Sequence, residues 1–340
     1  MGRETVLVVC PGRGTYGARE LGYLARYHAD DPLLAKFDRL REDRGAETLS
    51  TLDSASSFSN KRHGSGQNAS PVIYAASLLD FLALDLDRSE IVAVCGNSMG
   101  WYTALACAGA VSPEHGFTIA DAMGINSGTG KPGGQVLLTL VGDDWRPDPA
   151  LREEVERAIE QSGVHRSIEL GGMLLVAGSD AAIDRLLATL PPLPGRPPLR
   201  LAGHGPFHTP LMGQSSRRAI EQLPAEWFGP PRIPLIDGKG HIWRAKAATP
   251  EAMHRYTFTT QILETYDFTR SLSVGIKEFA PNRIVLLGPG DSLGGAIGQV
   301  LVAETWLGIA DKAAFAAQQA SDPFLIAMGR EDQRAQRITC

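Results

Sequence analysis

Val92-Ala93-Val94-Cys95-Gly96-Asn97-Ser98-Met99-Gly100-Trp101 runs from an unbroken apolar segment into a glycine-flanked serine, and a small-residue stretch to Gly109 follows. This is G-x-S-x-G in the setting the motif needs, with a strand before it and a helix after it. A turn this tight forces Ser98 into an uncommon backbone conformation with its hydroxyl exposed, and the glycines let strand and helix approach closely. The Met99 N–H, at the start of that helix, is then placed to stabilise an oxyanion formed beside Ser98. A related signature opens the chain, where Val6 to Cys10 meets Pro11-Gly12-Arg13-Gly14-Thr15-Tyr16-Gly17. Apolar runs that end in glycine turns and alternate with helical periodicity indicate an α/β fold.

Outward from these turns, Trp101 to Gly109 reads as a buried helix and Val72 to Leu84 as a helical stretch, and residues 45–70, rich in Ser, Gly and Asn, read as a surface loop or poorly ordered connection. After the loop Gly128 to Gly134 the pattern changes. Gln135 to Val141 and Met173 to Ala177 are strand-like, Ala150 to Gln161 reads as a charged amphipathic helix and Ala181 to Leu190 as a helix, and the Pro-rich link Pro191 to Pro198 leads to a strand at Leu199 to Ala202. Such a βαβαβ-like run with its own punctuation indicates a small domain, residues 134–202, inserted into a large α/β domain made of 1–133 and 203–340. A last strand, Ile284 to Leu287, ends in Gly288-Pro289-Gly290, and Ala313 to Ala320 reads as helical.

The 340 residues carry 33 basic and 38 acidic side chains, a net charge of −5, which gives no electrostatic support to nucleic-acid or membrane-surface binding. The longest apolar stretch, Pro71 to Leu84, is interrupted by Asp80 and falls short of the roughly 20 residues a bilayer requires. Val6 to Cys10 with Pro11-Gly12 reads as a strand meeting a loop and not as a signal peptide. Cys10, Cys95, Cys107 and Cys340 are too widely spread for a metal knuckle or a redox pair, so they read as reduced and the chain as cytoplasmic.

A serine needs a base within hydrogen-bond reach. Of the eight histidines, His28, His63, His115, His165, His241 and His254 read as surface residues, whereas His204 and His208 lie in the rigid segment Gly203-His204-Gly205-Pro206-Phe207-His208-Thr209-Pro210. Spacing alone does not choose between those two. Ser127-Gly128-Thr129-Gly130-Lys131 fails as a phosphate loop because Ile125 stands where the first Gly is needed and Pro132 where Ser or Thr is needed. Gly12, Gly14 and Gly17 satisfy G-x-G-x-x-G, but Asp30 and Asp31 precede Pro32 at a helix end, not at the end of a second strand, so a dinucleotide site is not supported.

Taken in order, Pro11-Gly12-Arg13-Gly14, Gly96 to Gly100, Gly205 to Met212 and Leu287-Gly288-Pro289-Gly290 resemble the P-G-Q-G, G-H-S-L-G, G-A-F-H-S-P-L-M and L-G-P-G motifs of one family. It is the malonyl-CoA:acyl carrier protein transacylases and the acyltransferase domains of fatty-acid and polyketide synthases, and the resemblance spans about Val6 to Val300. It implies an α/β-hydrolase-like large subdomain with a central, mostly parallel sheet, and an inserted ferredoxin-like α+β subdomain. It also implies ping-pong transfer. Ser98, deprotonated by His208, attacks an acyl-CoA thioester, the backbone N–H groups of Met99 and Arg13 hold the oxyanion, and the phosphopantetheine thiol of an acyl carrier protein resolves the acyl-serine. No tightly bound cofactor or metal is implied, and a monomer or weak dimer is expected. The family orients its histidine through a backbone carbonyl, for which Glu264, in Gln261-Ile262-Leu263-Glu264, is the matching position.

Several positions depart from the family pattern. Met123 stands where an arginine normally pairs with the malonyl carboxylate, Met173 where a glutamine lies, Asn97 where the elbow has His, Trp101 where Glu is usual, and Arg13 where the opening loop has Gln. With Phe207 beside the base, these residues are expected to line a more apolar acyl pocket. An unpaired carboxylate in a desolvated pocket is costly, so an uncharged acyl group is the expected cargo. Malonyl transfer with Arg13 or Lys131 replacing the missing arginine stays open, as do an editing acyl-thioester hydrolase, an inactive scaffold subunit and a general α/β-hydrolase. Lys61-Arg62 and Lys239, Arg244 and Lys246 are candidate contacts for an acidic carrier protein.

Overall fold

The computed structural model of the chain describes residues 2–128, 133–193 and 197–336. Lys131 and Cys340 lie outside the described residues. Eleven strands form within them: β1 (Glu4–Cys10), β2 (Ser89–Gly96), β3 (Gly134–Thr139), β4 (His165–Leu170), β5 (Met173–Gly178), β6 (Leu199–Arg200), β7 (Leu235–Ile236), β8 (Ile242–Trp243), β9 (Tyr266–Asp267), β10 (Arg283–Leu286) and β11 (Leu325–Ala327).

The first sheet has the order β11-β10-β1-β2-β7-β8 and is parallel throughout except for the β7–β8 pair. Val6 to Cys10 are fully buried, as expected for a central parallel strand covered on both faces. Because β1 and β2 are parallel neighbours with Cys10 opposite Gly96, the turns that follow them, carrying Arg13 and Ser98, emerge side by side at one end of the sheet. Ligand sites of open α/β sheets form at that carboxyl end.

The second sheet has the order β6-β3-β5-β4-β9. Its first four strands, with the helices Pro149–Ser162 and Asp180–Thr189, make the βαββαβ ferredoxin-like arrangement around a separate apolar cluster that includes Val136, Leu174 and Val176. The chain thus has an α/β-hydrolase-like large part and a small ferredoxin-like part. On this layout we propose the division at 134 and 202, with β9 crossing from the large part to extend the small sheet alongside β4.

Three expectations change. Residues 45–70 hold the helices Leu49–Asp53 and Asn60–His63 and the start of the helix Gly66–Leu82; Thr48, Ser59 and Ser65 occupy the N-cap positions, and the Thr48 side chain accepts from the Thr51 N–H. His63 and His28 are buried, not on the surface. His28 and Asp80 join Tyr23 and Arg334 in one hydrogen-bonded cluster that also receives the Gly288 N–H on Asp80, so the C-terminal segment fixes the Gly288-Pro289-Gly290 turn. Among the described residues, no helix is long and apolar enough to cross a membrane.

Candidate active site

Ser98 sits at φ 54°, between the end of β2 and the helix Gly100–Cys107. The neighbouring glycines are required by contact. A Cβ on Gly100 would lie 2.2 Å from the Cys10 carbonyl oxygen, and one on Gly96 would lie 2.4 Å from the Gly100 carbonyl. Since the opposing atoms are backbone, Gly100→Ala is expected to lower stability by about 2–4 kcal/mol, read as a fall in the urea midpoint at constant m.

The structure brings Ser98 and His208 together. Ser98 Oγ lies 2.7 Å from His208 Nε2, and His208 Nδ1 lies 2.6 Å from the Gln261 carbonyl oxygen. A ring N–H donated to that carbonyl leaves Nε2 as the acceptor facing the serine hydroxyl. Burial lowers the His208 pKa to about 4, with the Gln261 carbonyl opposing the shift in part. His204 is elsewhere, its Nδ1 donating to Gln135 Oε1 at 2.8 Å, so geometry resolves the choice that spacing left open.

The orienting carbonyl is a correction. Glu264 is three residues too late: it terminates the short helix Gln261–Leu263 in extended conformation, and its side chain pairs with Lys239. Gln261 opens that helix at the end of a helical run, where last-turn carbonyls lack intrahelical partners and are free to accept from elsewhere. The Gln261 side chain also serves the elbow, its Nε2 donating to the Ser98 carbonyl at 3.1 Å while its Oε1 accepts from the Tyr102 hydroxyl at 3.2 Å.

A cavity of about 60 Å³ opens on Ser98 and His208. By that measure it has room for roughly four to six waters, hence for a short acyl group. Met123 and Phe207 line it as expected, together with Met99, Met212, Ile262 and the hydroxyls of Ser70, Ser127 and Ser215. Three expected residues do not line it. Trp101 is fully buried away from the cavity lining, with Nε1 bonded to Thr257 Oγ1 and its ring edge-on to Tyr256. Asn97 packs against Gly12, and Met173 packs at the start of β5 against the core. Sequence reading missed Ser70, Ser127 and Ser215 because each lies on a helix or its cap with no local chemical signature.

Arg13 contributes twice. Its backbone N–H and that of Met99 make no hydrogen bond to another described residue, leaving both donors open at the turn. Its half-buried guanidinium also lines the cavity, lying 5.4 Å from the Phe207 ring centroid, with long hydrogen bonds to the Gly64 carbonyl at 3.3 Å and Ser127 Oγ at 3.5 Å. Desolvation lowers its pKa to about 10. Among the described residues, no carboxylate lies within ion-pair distance of it.

No family model matches the chain. It is 25% identical over 242 residues to the polyketide biosynthesis malonyl CoA-acyl carrier protein transacylase PksC of Bacillus subtilis, covering 69% of this chain and 78% of that protein. Among solved structures, the malonyl CoA-acyl carrier protein transacylase of Coxiella burnetii superimposes with a TM-score of 0.74 at 17% identity, covering 98% of this chain and 96% of that one. The corresponding enzyme of Xanthomonas oryzae gives 0.73 at 19% identity, covering 99% and 98%. A malonyl-transacylase solved in complex with a type II polyketide synthase acyl carrier protein gives 0.71 at 20% identity, covering 88% and 93%. In sequence the chain is similar to a malonyl CoA-acyl carrier protein transacylase, and in fold to solved structures of such transacylases.

Proposed function

We propose that the chain is an acyl-CoA:acyl carrier protein acyltransferase that carries a short acyl group on Ser98 between two thiols. The observation that carries this reading is the run Ser98 Oγ, His208 Nε2, His208 Nδ1 and Gln261 carbonyl, with each contact at hydrogen-bond length. In the first half-reaction Ser98 Oγ attacks the thioester carbon as His208 Nε2 takes the hydroxyl proton, and the oxyanion faces the Met99 and Arg13 N–H groups. The C–S bond then breaks and the imidazolium returns the proton to the departing CoA sulfur. In the second, His208 takes the proton of the phosphopantetheine thiol, the sulfur attacks the acyl-serine, and Ser98 leaves reprotonated. The Gln261 carbonyl fixes the tautomer without a carboxylate, and a neutral carbonyl is suited to a base that stays uncharged between steps. The transacylase structure held with its carrier protein supports a carrier thiol as the acceptor, in fatty-acid or polyketide assembly.

For the acyl group, Arg13 supports a carboxylate-bearing cargo of the malonyl type. A desolvated guanidinium without an anion gains a partner from a carboxylate and only loses more water to a neutral chain. Met123, which offers no charge in the same cavity, supports the second reading, an uncharged acyl group. Loading the protein with malonyl-CoA and acetyl-CoA in competition and weighing the intact chain separates them: a dominant malonyl adduct favours the first, a dominant acetyl adduct the second. Adding holo carrier protein then separates transfer from hydrolysis, and absence of any adduct would indicate a scaffold.

Acylation needs neutral His208. Its folded-state pKa of about 4 lies below the ordinary 6.5, so the imidazole remains a base down to the lower value. The acid limb of kcat/KM is therefore expected near pH 4, and activity at pH 5.5 is expected to stay close to that at pH 7, as a pH–rate profile of the free enzyme would record. Stability should follow the same sign. The unfolded chain binds the proton first, so His208 makes stability fall as pH drops from about 6.5 towards 4.

A further inference from the structure

We propose that Ser167, in the small ferredoxin-like part, is a positioning residue for the catalytic histidine and acts through the carbonyl of Phe207. This inference rests on the reading of His208 as the base.

His208 has φ 56°, a left-handed conformation that a residue with a Cβ holds only when its surroundings impose it. The peptide plane before it, which includes the Phe207 carbonyl, sets that angle. Ser167 Oγ donates to this carbonyl at 2.7 Å. Ser167 is fully buried and in turn accepts from Gln135 Nε2 at 2.6 Å, while Gln135 Oε1 accepts from His204 Nδ1 at 2.8 Å. All three donors point the same way, so the hydroxyl proton of Ser167 is committed to Phe207.

The backbone shows why the side chain is there. Opposite β5, Arg166 pairs with Val176 and Ile168 with Leu175, which leaves Ser167 as the extra residue of a β-bulge. A bulge bends its strand and re-aims one side chain out of the alternation of the sheet. Here it turns Ser167 to the loop that carries the base. The same loop is also held by the Thr209 hydroxyl on the Pro206 carbonyl at 2.6 Å, by the Phe207 N–H on the Gly205 carbonyl at 2.8 Å, and by the two ring nitrogens of His208, at Ser98 Oγ and the Gln261 carbonyl. The Gln261 bond fixes the ring, and the Ser167 bond fixes the backbone from which the ring hangs. The inserted sheet thus sets the Ser98–His208 distance through one hydroxyl, without contributing that residue to the acyl cavity.

The test is single-turnover acylation of Ser98 in the full chain, with malonyl-CoA and acetyl-CoA, for the parent, Ser167→Ala, Ser167→Thr and His208→Ala. With Ser167→Ala, acylation at saturating acyl-CoA is expected to slow by about 10- to 100-fold, the effect of a misplacement near 1 Å, while the half-saturating concentration stays within about threefold. Ser167→Thr, which keeps the hydroxyl, is expected to restore the rate to within about threefold of the parent. The acid limb should also rise from near pH 4 in Ser167→Ala as water reaches the loosened imidazole. If the alanine variant does not fold, Ser167→Cys, with a weak donor of similar shape, carries the same comparison. A Ser167 variant lacking the hydroxyl that acylates at the parental rate, with an unmoved acid limb, overturns the proposal while His208→Ala is inactive. A fully active His208→Ala overturns instead the reading beneath it.

Discussion

His208→Ala is expected to slow the loading of Ser98 by at least about 10⁴-fold, because one imidazole accepts the serine proton, returns it to the departing thiol and repeats both steps for the carrier. The effect should appear in the rate of adduct formation and not in acyl-CoA affinity, since the ring contributes only part of the wall of a cavity built mainly from other residues. Burst kinetics with and without holo carrier protein check both half-reactions. His208 is buried and bonded on both nitrogens, so circular dichroism must accompany the assay to separate lost chemistry from lost fold. A variant that retains within about tenfold of the parental rate would show that another group takes the proton.

Arg13→Gln is the second large effect. If the guanidinium holds the distal carboxylate of the acyl group, removing it leaves a buried anion unpaired, at a cost of about 3–5 kcal/mol. Malonyl-CoA kcat/KM should then fall by roughly 150- to 4,000-fold, as about 1.4 kcal/mol corresponds to a factor of ten. Acetyl-CoA, with no carboxylate to pair, should change by no more than about threefold. The backbone N–H of residue 13 is kept by the substitution, so the oxyanion donor survives and the two roles of Arg13 separate. An equal loss for both substrates would place Arg13 on the part they share, the CoA moiety or the loop itself. No loss for either would return the selectivity to Met123.

What could be seen in the sequence was whatever short-range chemistry dictates. The elbow was legible because Gly96, Ser98 and Gly100 are each forced by contacts within a few residues or with the adjacent strand. The fully buried strands were legible as apolar runs, and the small part as a change of pattern near Gly134. What escaped depends on distant packing. β4, with its alternation of Arg166 and Glu169 among apolar residues and its bulge at Ser167, carries no clean period. The cap residues before the helices at Leu49, Asn60 and Gly66 resembled loop composition. Trp101 was expected in the pocket by alignment to a family position, but it is buried against Thr257 and Tyr256. Arg13 illustrates the limit most clearly. Its charge was visible in the sequence, but its lack of an acidic partner beside Met123 required the fold.

The most direct test is peptide-resolved mass spectrometry of the full chain after brief exposure to malonyl-CoA, followed by addition of holo carrier protein, with Ser98→Ala alongside. One malonyl group on the peptide containing Ser98, absent from Ser98→Ala and moved onto the carrier's phosphopantetheine thiol, is the result expected. An acyl group that Ser98→Ala still acquires, or a chain that neither malonyl-CoA nor acetyl-CoA loads, would contradict it.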